Sequence, residues 1–93
     1  MSASTLPTAS TMLRASKIAI TDDKPIILDY WVSSINKQSL LGVKADGERM
    51  LVKSEDEYTS TVTKIFKNQL EYIVVTENSI YIVSVDIPSR QIS

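Results

Sequence analysis

The chain has 93 residues, 43% of them apolar, with ten basic and eleven acidic side chains and a net charge of −1. That length fits one small domain with a thin core; the apolar share argues against wholesale disorder, and the balanced charge creates no long-range field for a polyanion or an anionic membrane. Cysteine and histidine are absent and the only glycines are Gly42 and Gly47, which excludes disulfides, thiolate or imidazole metal sites, the commonest general base and a Gly-rich phosphate loop.

Residues 1–11 read as a polar leader in which Pro7 bars a helix. No basic segment precedes an apolar one there, and no apolar run approaches the ~20 residues of a membrane span, so neither a secretory signal nor membrane insertion is expected. Residues 12–24 read as a short helix. Met12, Leu13, Ala15, Ile18, Ala19 and Ile20 supply loosely spaced apolar positions, and Pro25 disfavours helical geometry at Lys24.

From Pro25 the pattern changes to strand. Residues 26–32 are β-branched and aromatic, which suits a pleated surface. Residues 40–44 and 49–53 flank Asp46-Gly47, the strongest short hairpin signal in the chain. Residues 61–67 alternate, with Val62, Lys64 and Phe66 on one face and Thr63, Ile65 and Lys67 on the other. Asn68-Gln69 reads as a turn into a strand over 71–75. Glu77-Asn78 reads as a turn into a strand over 79–85. Pro88 cannot donate to a ladder and is read as the end of regular structure, leaving 88–93 as a tail.

These elements predict one β-dominated, all-β domain over 1–93. It is a small antiparallel meander (25–87) of about six strands, bent into an SH3-like or split barrel because closure removes unpaired edges, with a short N-terminal helix. The alternative is an open sheet with the helix across one face.

The last two strands are apolar on both faces, so each face needs a cover. The chain's own N-terminal segment, a second copy or a different partner could supply the second one. The segment is short and mostly polar, so an apolar patch is expected to remain, and such patches mark interaction sites. The patch expected from alternation combines Ile73, Val75, Tyr81, Val83 and Val85.

Trp31, with Lys44, Arg49, Lys53, Lys64 and Phe66, forms the other candidate site. An aromatic platform beside a basic stripe holds single-stranded nucleic acid; a core tryptophan and solubilising edge lysines are the plainer account. Glu55-Asp56-Glu57 and Asp22-Asp23 offer hard oxygen ligands but lack a calcium-loop pattern. No serine or threonine has a histidine to activate it, so no catalytic residue, cofactor or metal is assigned.

The expected protein is therefore a soluble, cytoplasmic, non-catalytic interaction or structural module. Its expected partner is protein, most simply itself, rather than a membrane. Single-stranded nucleic-acid binding is the alternative.

Overall fold

The computed structural model describes residues 6–92; residues 1–5 of the expected leader, and Ser93 of the expected tail, lie outside them. Helix α1 (Ala9–Asp22) begins three residues before the expected start. Thr8 is its N-cap, with Oγ1 accepting from the Thr11 amide, the usual way to satisfy an orphan donor of the first turn. Its end is set by Asp23 in the left-handed region (φ 55°) and by Pro25 beyond it. Residues Met12, Ala15, Ile18 and Ala19 recur at helical spacing and pack on the core, while Leu13 and Ile20 face outward.

The expected first strand breaks up. Only β1 (Ile26–Ile27) is extended, and α2 (Trp31–Ile35) replaces the rest. Strand propensity at Tyr30-Trp31-Val32 is overridden locally by two serines. The Ser33 hydroxyl donates to the Tyr30 carbonyl and the Ser34 hydroxyl to the Trp31 carbonyl, at 3.2 and 2.6 Å.

The remaining elements are β2 (Leu40–Val43), β3 (Arg49–Ser54), β4 (Glu57–Tyr58), β5 (Val62–Asn68), β6 (Glu71–Thr76), β7 (Ile80–Ser84) and β8 (Ser89–Gln91). They make two four-stranded sheets, β1-β7-β6-β5 and β4-β3-β2-β8. The fold is thus sheet-dominated with a short N-terminal helix, as expected, but it is not a closed barrel. It is not wholly antiparallel either, because β1 runs parallel to β7 and β8 parallel to β2. Pro88 does not end the regular structure. Its carbonyl accepts from the Leu41 amide at 2.8 Å, and a proline just before a strand loses no ladder bond.

The Asp46-Gly47 signal marks a hairpin, though not the two-residue turn it suggests. Only Gly47 has positive φ (93°). Its amide donates to the Lys44 carbonyl, and the Lys44 amide to the Glu48 carbonyl. This is a turn closed by a glycine bulge, in which one residue rather than two needs left-handed geometry.

The molecule has three layers. Ile73, Val75, Ile80 and Ile82 on one face of the first sheet pack with Ala15 of α1 and with Trp31. Val74 and Val83 on the opposite face pack with Tyr30, Val62 and Leu51, the last from the second sheet. Each face of the two-sided strands is therefore covered from within the chain, one by helix and one by sheet.

Candidate functional site

The register of β6 and β7 decides what the expected interaction patch is. Ile73 pairs with Ile82, Val74 with Tyr81, and Val75 with Ile80. Directly opposed residues share a face, so Ile73 and Val75 lie on the helix side while Tyr81 and Val83 lie on the side of the second sheet. The five residues do not form one surface. Ile73 and Val75 are 0% exposed and Val83 is 1% exposed, so their apolar area is already removed from water. Tyr81 is half-buried, edge-on to Tyr30 with ring centroids 5.3 Å apart. Val85 is half-buried at the rim of a cleft between the sheets. The expectation that this hairpin carries more apolar surface than the chain can hide is overturned.

The second candidate set is divided too. Trp31 is buried in the core beneath α1, which leaves no aromatic platform there. Phe66 packs half-buried against the same core. Lys44, Arg49 and Lys53 belong to the second sheet and its β2–β3 turn, whereas Lys64 lies on β5 of the first. Lys44 is 3.9 Å from Glu48, Lys53 is 3.4 Å from Glu57, and Lys64 is 3.9 Å from Asp22. The acidic runs Glu55–Glu57 and Asp22–Asp23 sit on different elements, and among the described residues no three carboxylates converge on a metal-sized space. No described helix is long and apolar enough to cross a membrane.

Alternation misplaces Val62. The ladder between β5 and β6 shifts between Val62 and Lys64. That bulge turns Val62 from the face of Phe66 into the space between the sheets, beside Ile65.

Among the described residues, Tyr30 is the ionisable side chain that folding perturbs most. It is 4% exposed, with Lys53 Nζ 4.6 Å from its ring centroid. Burial pushes its hydroxyl up to about 12, with smaller contributions in the same direction from Glu57, Tyr81 and Asp29. Folding thus disfavours the phenolate. The resulting stability is fully present below the unfolded value near 10 and is lost as pH rises toward 12. Relative to Tyr30→Phe, which keeps the ring contacts, the wild-type protein is expected to lose about 2 kcal/mol between those limits. Urea titrations of both proteins from pH 8.5 to pH ~12 measure this; a constant difference across the range contradicts it.

One sheet face has no described helix packed across it. On the second sheet, Leu41, Leu51 and Lys53 point inward, so Leu40, Met50 and Val52 point outward. Tyr58 joins them through its pairing with Val52, and Ile92 lies across Gly42. A Cβ at Gly42 would stand 2.8 Å from Ile92 Cδ1. A glycine in mid-strand is the sequence signal of such a close approach, and it was the available clue to this face. The result is a shallow groove of about 400 Å3 lined by Lys44, Met50, Val52, Glu55, Tyr58 and Ile92. Comparison with protein-family models, curated proteins and solved structures gives no match.

Proposed function

We propose that the protein is a non-catalytic interaction module that self-associates through the outer face of the second sheet, in a reducing compartment such as the cytoplasm. The observation that carries this reading is the outward strip Leu40, Met50, Val52, Tyr58 and Ile92, over which no described helix or strand passes; Tyr58 is its exposed member, Leu40, Val52 and Ile92 are half-buried and Met50 is buried among them. Tyr58, at 60% exposure, gives it a large aromatic contact. The first sheet's outer face, by contrast, has α1 across it.

A second copy is the favoured partner because the groove is self-complementary in charge. Lys44 lies at the β2–β3 hairpin end of β3 and Glu55 just past its other end. A two-fold axis through the middle of the groove brings each Lys44 toward the other copy's Glu55. Strands ~4.8 Å apart and ~3.3 Å of rise per residue give this face a footprint of roughly 15 by 20 Å. That is well below the ~800 Å2 per partner of a standard interface, so the association is weak and concentration-dependent.

Light scattering or sedimentation from micromolar to millimolar protein tests the reading. The mass of the wild type is expected to rise toward a dimer, while Val52→Asp stays a monomer with an unchanged circular dichroism spectrum. Lys44→Glu weakens the dimer, and combining it with Glu55→Lys restores it. A wild type that stays monomeric throughout overturns the reading.

A further inference from the structure

The inner faces of the two sheets leave a gap between them, lined from both sheets and from the β7–β8 connection. The gap is a cleft of about 270 Å3. Leu41, Arg49 and Leu51 line it from the second sheet, and Ile65, Tyr72 and Val83 from the first. Its walls are mostly aliphatic, and among the described residues no carboxylate lines it.

Arg49 is out of place in such a wall. Half-buried cations ordinarily have a partner, because desolvation of an unpaired charge is costly. Lys44 and Lys53 have Glu48 and Glu57, and Lys24 donates to the Thr76 carbonyl at 2.7 Å. Arg49 is the half-buried cation for which the described residues supply neither an ion pair nor a hydrogen bond. Lys67, exposed on β5, stands opposite the lining residue Tyr72 in the ladder.

We infer that this cleft binds a short linear fatty acid, with its tail between the sheets and its carboxylate on Arg49. A fork of guanidinium donors matches a carboxylate bidentately. The volume of about 270 Å3, at roughly 30 Å3 for a water-sized group, holds a chain of about eight or nine carbons. It lies at the small end of ligand pockets, which excludes a two-chain lipid.

The test is a titration of the full chain with octanoate and with octanol, followed by methyl and amide NMR shifts. Octanoate is expected to give saturable one-site shifts at Ile65, Val74 and Val83. From hexanoate to octanoate, affinity rises about fourfold per methylene. Arg49→Gln weakens octanoate about tenfold and leaves octanol unchanged, which separates loss of the charge contact from loss of the cleft. Val85→Trp, placed at the rim, weakens both ligands. The inference is overturned by equal octanoate affinity in Arg49→Gln, by octanol binding as tightly as octanoate, or by shifts confined to Met50, Val52 and Tyr58. The last pattern places the ligand on the proposed self-association face and leaves the dimer test independent.

Discussion

Ile73→Ala is expected to lower the free energy of unfolding by about 2–5 kcal/mol without changing the mass of whatever remains folded. Ile73 is 0% exposed and sits where β6 meets α1, in one cluster with Ala15, Trp31 and Ile82 and with Phe66 packed against it. Truncation removes three carbons' worth of burial and leaves a void that the crossed layers of helix and sheet cannot close by small shifts, because interiors are close-packed. For a domain whose whole stability is of order 5–15 kcal/mol, this is a large fraction. Trp31 is the single tryptophan and lies in the same cluster, so its fluorescence in a urea titration reads the loss directly. Val52→Ala on the outer face of the second sheet has the opposite signature: a small effect on unfolding and a clear effect on association. If Ile73→Ala left stability intact and changed only the mass, the helix side of the first sheet would be the contact surface and the assignment of the two faces would be reversed.

That prediction depends on register, and register is the part of the fold that alternation alone does not fix. The composition of β6 and β7 showed correctly that both faces need covers. It did not say which residues share a face, because that depends on how the two strands are offset across Glu77-Asn78. One residue of slip exchanges the faces. The Val62 bulge and the turn after Asn68 show the same weakness: Asn68 pairs with Glu71, so the turn residues are Gln69-Leu70 rather than Asn68-Gln69. Gln69 adopts positive φ (57°) with no glycine to announce it.

The cover itself was underestimated for a physical reason. A helix needs only one or two small or aliphatic residues per turn to close a sheet face, and Met12, Ala15, Ile18 and Ala19 suffice when α2 delivers Trp31 beside them. The Trp31 reversal could not be read from propensity, because the serine hydroxyls that turn the backbone also act at a distance. Ser34 Oγ accepts from the Ser84 amide at 2.9 Å and ties α2 to the end of β7. The hairpins, the N-terminal helix and the absence of histidine or cysteine chemistry were legible from local residues. The groove on the second sheet was signalled by Gly42 alone, because Ile92, which lies across that glycine, comes from a segment that Pro88 makes look like a tail.

Glu71→Ala is expected to cost about 2–4 kcal/mol and to open α1 before the rest of the molecule. Glu71 is 4% exposed at the start of β6. Its Oε1 accepts from Thr11 Oγ1 at 2.6 Å and from Thr8 Oγ1 at 3.1 Å. Hydrogen bonds to a charged acceptor are worth about 1.5–3 kcal/mol, and a buried donor left unpaired adds its own desolvation cost. The placement also answers a deficit in the helix. The first turn of α1 has no acidic residue of its own, so the carboxylate that complements the positive end of the helix dipole comes from a strand ~60 residues later. Asn68 extends the tie, its Nδ2 donating to Thr11 Oγ1 at 2.9 Å and its Oδ1 accepting from Arg14 Nη1 at 3.0 Å.

Glu71→Gln keeps the shape and one carbonyl acceptor but removes the charge, so roughly half the loss is expected. Hydrogen exchange separates this local fastening from a general core defect. In Glu71→Ala the amides of α1 should lose protection while Leu51 and its neighbours between the sheets keep theirs, because that second core makes no use of the helix. Equal loss of protection in both layers, or a change below ~0.5 kcal/mol, would show that the helix is held by its apolar face alone and that the Thr8–Thr11–Glu71 cluster is incidental.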